Sequence, residues 1–194
     1  LVMVDESHAT GFLGRSGRGA IEINDALGQV DLITSTLGKA MGGATGGFTT
    51  GRREMIEILR QKSRPYLFSN TLAPAIAAAG IAAFDLLEKS DDLRQKLTAN
   101  TLTFRGEMSR LGFDINEGTH PIVPILFRKF ANDAQLSQLM ARDLYAEGIY
   151  VVGFFFPVVP RGQSRIRVQI SAAHTPADIE KAVDMALKSR PELR

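Results

Sequence analysis

The chain has 194 residues, of which 44% are hydrophobic and 23% charged, the balance of an ordinary globular protein with room for one large domain or two small ones. The 23 basic and 21 acidic residues leave a net charge of only +2, and with no Lys/Arg run this argues against a nucleic-acid surface. The lack of cysteine excludes disulfides, thiolate nucleophiles and cysteine-based zinc sites, and no apolar stretch approaches the roughly 20 residues needed to cross a bilayer.

Residues 1–4, LVMV, read as a short buried strand that begins at Leu1 rather than at a methionine. A buried parallel strand needs neighbours on both sides, so the chain reads as a C-terminal fragment. No signal or transit segment is visible in it, but with the N-terminus absent this says little about location; the cytoplasm is expected, with an organellar transit peptide left open. The strand runs into Asp5, Glu6, Ser7 and His8, and a glycine-rich loop, GFLGRSGRGA, follows. VDLITST, residues 30–36, is a second apolar, β-branched run ending in hydroxyls. Six glycines then fall within residues 38–51, and GGFTTG suggests a third short strand. Residues 52–61 carry Met55, Ile56 and Leu59 at helical spacing. RPYLFSNTLAP, bracketed by Pro65 and Pro74, reads as an extended loop, and the alanine-rich stretch from Pro74 to position 89 as a helix.

The character of the chain changes at residue 90, which divides a first domain, 1–90, from a small α/β domain, 91–194. Residues 91–111 form a long amphipathic helix, with Ser90 as candidate N-cap and Gly112 just past its end. HPIVPILF reads as a strand, residues 133–147 as a helix stopped by Gly148, and IYVVGFFF and SRIRVQIS as two more strands. In the last, Ile166, Val168 and Ile170 alternate with Arg165, Arg167 and Gln169. Thr175, Pro176 and Asp178 mark the start of a final helix. This order suggests a small sheet with helices on one side.

DESH, residues 5–8, also matches the metal and nucleotide box of a DExH helicase, with Glu6 as its catalyst. That reading requires a glycine-rich phosphate loop ending Gly-Lys-Ser/Thr. In TLGKA, Lys39 is followed by Ala40 and the required earlier glycine falls on Ile33. Nothing in residues 91–194 resembles an arginine-finger domain, and the helicase reading is rejected.

Asp5 and His8 end one strand, and Thr36 and Lys39 follow a second. In a doubly wound sheet such strand ends meet at one crevice. A carboxylate there holds a proton on a pyridine nitrogen and a lysine amine bonds a cofactor aldehyde, which suits pyridoxal 5′-phosphate. Ser35, Thr36 and nearby backbone N–H groups suit its phosphate. Taken singly, the Asp is a turn residue, the His a hydrogen-bonded side chain and the Lys a solvated one. The ordered set favours the cofactor.

VDESHATGFLGRSGRG, DLITSTLGKAMGGATGG, RPYLFSNTLAP and GFFFPVVPRGQSRIRVQISAAHT together resemble the α-oxoamine synthases, PLP-dependent enzymes of fold type I. The resemblance runs in order through nearly the whole chain. It implies an α/β fold: part of a large domain with a mostly parallel sheet, then a small α/β domain. It implies that Asp5 pairs with the pyridine nitrogen, His8 contacts the ring hydroxyl, Thr36 holds the phosphate and Lys39 carries the cofactor. Ser69 and Asn70 would reach the phosphate of a partner subunit in a homodimer. Spacing alone favours an outward-facing, solvated arginine at position 167, with Arg165 pointing the same way, and the family's Arg-x-Arg pattern assigns a substrate carboxylate to Arg167, whose guanidinium fork fits it. Glu6 becomes a bystander, His174 is structural near the last helix's N-cap, and His120, before Pro121, is a loop residue. RPYLFSN and GFFFPVVP point to the member that joins glycine and acetyl-CoA reversibly into 2-amino-3-ketobutyrate and CoA, a reaction of threonine degradation. Siblings using another acyl-CoA or amino acid are the nearest alternative, and a fragment of this extent is expected to be inactive alone. No metal, nucleic acid or membrane is implied.

Overall fold

Three short apolar runs in the first half of the chain become β1 (Met3–Asp5), β2 (Leu32–Thr36) and β3 (Gly47–Gly51), a sheet in the order β1-β2-β3. The structure is a computed structural model that describes residues 1–42, 45–190 and 192. Residues 43 and 44, inside the glycine-rich run, lie outside the described residues. β1 and β2 pair in parallel, with Met3 opposite Leu32 and Asp5 opposite Thr34. The intervening residues 6–31, which include a single helical turn, α1 (Ala20–Ile23), are long enough for the crossover that parallel pairing requires. β3 returns antiparallel, with Phe48 opposite Ser35 and Gly47 opposite Thr36, because residues 37–46 are too few for a crossover.

Helices α2 (Arg53–Lys62), α3 (Arg64–Phe68) and α4 (Pro74–Glu88) follow. α3 lies where the sequence suggests extended chain. Pro65 stands in the first turn, where a missing N–H leaves no helical bond unmade, so the proline starts a short helix instead of preventing one. Only residues 69–73 remain extended. The Ser90 hydroxyl, the expected cap of the following helix, donates back to the Leu86 carbonyl of α4.

Two compact units are present, Leu1–Arg94 and Gln95–Arg194, so α5 (Asp91–Arg110) starts in the first and continues into the second. Beyond it come β4 (Ile122–Leu126), α6 (Asp133–Ala146), β5 (Gly153–Phe154), β6 (Arg165–Gln169) and α7 (Pro176–Ser189). The three strands form an antiparallel sheet in the order β4-β6-β5. Its core contains Phe104 and Met108 of α5, Val123 and Ile125 of β4, Met140 of α6 and Ile166 of β6, all at most 1% exposed. Each such side chain contributes about 1.5–3 kcal/mol by leaving water. Ile166 sits opposite Ile125 on the buried face, and strand alternation puts Arg165 and Arg167 on the other face.

Only two residues of the run IYVVGFFF pair as strand. Ile149 donates its N–H to the Leu144 carbonyl, closing the end of α6 after Gly148, which has a φ of 80°. The N–H groups of Val158 and Val159 both fold back onto the Phe155 carbonyl, which ends the strand on its other side. α7 begins as the sequence suggests. The Thr175 hydroxyl accepts from the Asp178 N–H and the Asp178 carboxylate accepts from the Thr175 N–H, a complete capping box.

Candidate active site at the strand ends

Because β1 and β2 are parallel neighbours, their C-terminal ends open on one edge of the sheet, where ligands of α/β sheets bind. Asp5, the last residue of β1, is exposed, and its Oδ1 accepts the Ser7 N–H at 2.8 Å. The Ser7 hydroxyl, the Ser7 N–H and the nearby positive charges of Lys39 and His8 hold the Asp5 carboxyl below its usual range, so it is ionised at neutral pH. The fold therefore brings Asp5 and Lys39, 34 positions apart in sequence, into one electrostatic neighbourhood with His8. Lys39 is exposed, three residues beyond the end of β2.

Thr36 closes a small polar ring at the same edge. Its hydroxyl donates to the Gly46 carbonyl and accepts from the Gly38 N–H, both at 3.2 Å, and the Leu37 N–H also donates to Gly46 at 2.9 Å. Ser35 does not join it. Alternation along β2 turns its side chain inward, where it is buried and its hydroxyl donates to Thr10 Oγ1 at 2.7 Å. Of the two hydroxyls suggested for a phosphate, only Thr36 faces the edge. Ser69 and Asn70 are exposed in the extended stretch after α3. Two residues on, Leu72 lies so close to Gly46 (φ +87°) that a Cβ there would collide with it, so this stretch passes beside the ring.

In the second unit, Arg165 donates from Nε to the Gln163 carbonyl at 3.1 Å, while the Arg167 guanidinium lies over the Phe154 ring at 5.5 Å. Arg167 borders a groove of about 710 Å3, shared with Tyr150, Gln169, His174 and Lys181. His120 and His174 each accept a backbone N–H at Nδ1, from Ile122 and Ser171 respectively, and so hold turns.

Sequence reasoning misses Glu6. Rather than a bystander, it is 1% exposed, and its carboxylate accepts the N–H groups of Ala20 and Ile21 at 2.9 and 2.8 Å. The available signal is its position: after the outward Asp5, a strand's next side chain points in. Among the described residues there is no group of three or more His, Asp or Glu that could hold a metal, and no helix long and apolar enough to cross a membrane.

An α/β sheet with a carboxylate, an imidazole and a lysine at its parallel strand ends defines a class, and the chain belongs to the aminotransferase class I and II family, whose model matches residues 1–185. It is 56% identical to a 2-amino-3-ketobutyrate coenzyme A ligase of Salmonella typhimurium over 95% of this chain and 45% of that protein. It is 42% identical to an 8-amino-7-oxononanoate synthase of Thermosipho melanesiensis over 95% of this chain and 46% of the other. Its fold matches that of a serine palmitoyltransferase variant from S. paucimobilis, solved with a bound PLP–myriocin aldimine, with a TM-score of 0.90 and 29% identity, over 100% of this chain and 48% of that one. The resemblance to α-oxoamine synthases carried by the sequence motifs is borne out. The chain spans about half the length of the curated relatives it matches.

Proposed function

We propose that the protein is a glycine C-acetyltransferase (2-amino-3-ketobutyrate CoA ligase), a PLP-dependent acyltransferase that interconverts glycine and acetyl-CoA with 2-amino-3-ketobutyrate and CoA. The observation that carries this reading is that Lys39 and His8 lie near enough to Asp5, at the parallel strand ends, for their charges to lower its carboxyl pKa. Its supports for the substrates are the names and identities of the relatives, 56% for the ligase against 42% for the sibling synthase.

The residues present fit pyridoxal phosphate. An ionised, outward carboxylate suits a protonated ring nitrogen, an exposed primary amine suits an aldehyde, and the Thr36 hydroxyl with the Gly38 N–H suits a phosphate oxygen. When bound, the cofactor supplies an electron sink for negative charge developing on the amino-acid Cα. Asp5 would keep the proton on the ring nitrogen, and His8 would contact the ring hydroxyl. The Lys39 amine removes the Cα proton of glycine and returns a proton after acyl transfer. Arg167 binds the substrate carboxylate in a bidentate fork, and Ser69 and Asn70 serve the phosphate site of a second subunit in a homodimer.

Lys39→Ala in the full-length protein is expected to abolish the visible absorbance of lysine-bound cofactor. Persistence of that absorbance at wild-type intensity overturns the lysine assignment. Glycine, alanine and serine assayed against acetyl-, succinyl- and long-chain acyl-CoA decide the substrate pair, and fastest turnover with any pair other than glycine and acetyl-CoA assigns the protein to a sibling synthase.

A further inference from the structure

We propose that Glu6, which touches neither substrate nor cofactor, is the positioning residue that holds Asp5 and His8 in place, by clamping the turn that carries them to the glycine-rich loop. Every polar group of Glu6 is engaged. Its N–H donates to the Thr34 carbonyl of β2 at 2.8 Å. Its carbonyl accepts from the Ala9 and Thr10 N–H groups at 2.9 and 2.8 Å and from the Thr10 hydroxyl at 3.1 Å. Its two carboxylate oxygens take the Ala20 and Ile21 N–H groups. On the loop side Gly19, with φ +93°, leaves room for that carboxylate, and a Cβ there would collide with it. The Ser35 hydroxyl completes the tie from β2 by donating to Thr10.

Asp5 and Ser7 flank this fixed residue and are themselves joined by the Ser7 N–H to Asp5 Oδ1 bond. A buried carboxylate with both oxygens bound to backbone donors cannot move without leaving those donors unpaired. Its neighbours on the exposed side therefore share its immobility, and an active-site carboxylate needs that, since a displacement of about 1 Å costs on the order of a hundredfold in rate.

The inference rests on the proposed cofactor role of Asp5 and His8, but its first test does not. Glu6→Gln turns an amide NH2 toward a backbone N–H and breaks one of the two carboxylate bonds. In the cofactor-free protein, hydrogen exchange is expected to speed up on the order of tenfold at the amides of Ser7 and Ala9 as well as at Ala20 and Ile21. Faster exchange confined to Ala20 and Ile21 overturns the proposal and leaves Glu6 as a loop anchor only. In the loaded, full-length enzyme kcat per bound cofactor is expected to fall at least tenfold while the KM for glycine moves less than about twofold. An unchanged kcat well below the unfolding temperature also overturns it. If Glu6→Gln does not fold, Thr10→Val decides: it removes both bonds of the Thr10 hydroxyl, the one given to the Glu6 carbonyl and the one accepted from Ser35, and faster exchange at Ser7 and Ala9 supports the clamp, whereas wild-type exchange refutes it. A wild-type protein that binds no cofactor refutes the functional reading and leaves the exchange result standing.

Discussion

Asn100 of α5 is buried, 7% exposed, and its Nδ2 donates to the carbonyls of Ser171 and His174, both at 3.0 Å. It ties a helix to the turn between β6 and α7 across more than 70 residues of sequence. Both partners are carbonyl oxygens, so only the amide nitrogen can face them, which fixes the orientation of the side chain. Asn100→Ala removes two hydrogen bonds and strands two acceptors, a loss of about 2 kcal/mol, or roughly 4–8 °C in Tm for a chain of this size. Asn100→Asp is nearly isosteric yet sharper in effect, because an ionised carboxylate would face two carbonyl oxygens in a buried site. Its folded pKa is then raised above the ordinary value of about 3.9. The charge penalty is absent below that value and grows as pH rises toward the folded pKa. Urea unfolding followed by circular dichroism at pH 4.5 and pH 7 should show the gap between Asn100→Asp and wild type widening with pH, while the gap for Asn100→Ala stays constant. An aspartate variant as stable as wild type at pH 7, or a gap independent of pH, refutes this account of the turn.

Thr175→Ala removes the hydroxyl half of the α7 capping box and should lower stability by about 1 kcal/mol, read as a small fall in the urea midpoint with an unchanged m-value. Arg167→Lys keeps the charge but loses the planar fork, so the KM for glycine should rise at least tenfold, whereas Arg165→Lys, whose guanidinium binds Gln163, should leave it within about threefold. The carboxyls of Asp114, beside Arg128, and of Asp133, which accepts the Ser164 N–H, are both held below their ordinary range. A depressed folded pKa gives stability that is full above the unfolded pKa and lost as pH falls through the folded one, so their contribution should decline below about pH 4. Stability measured from pH 6 to pH 2.5 in Asp133→Asn should show a shallower acid slope than wild type.

Much of the fold was legible in the sequence because local chemistry decides it. Thr175, Pro176 and Asp178 specify a helix start by themselves, and the alternation of Ile166 and Val168 with Arg165 and Arg167 specifies a strand with one buried face. That Asp5, His8, Thr36 and Lys39 lie toward one edge of the sheet was readable because parallel strands share an edge, whatever the details of packing. Other features depend on what lies across the fold. β5 shrinks to Gly153 and Phe154 because Ile149 closes α6 and Phe155 begins a turn, and no property of an apolar run foretells this. Pro65 starts α3 where a bracketing proline suggests loop, since a helix of five residues has no periodicity to read. Ser35 and Thr36 are equivalent hydroxyls as letters, and only the direction of β2 sends one inward to Thr10 and the other to the site edge. The position of Glu6 after the outward Asp5 marks it as inward, but its partners were set only when the loop at Ala20 and Ile21 folded over it. The residue types of the site were decided locally. Which of them face the sheet edge and which hold the scaffold was decided by tertiary structure, because a polar side chain takes its role from the donors and acceptors that surround it.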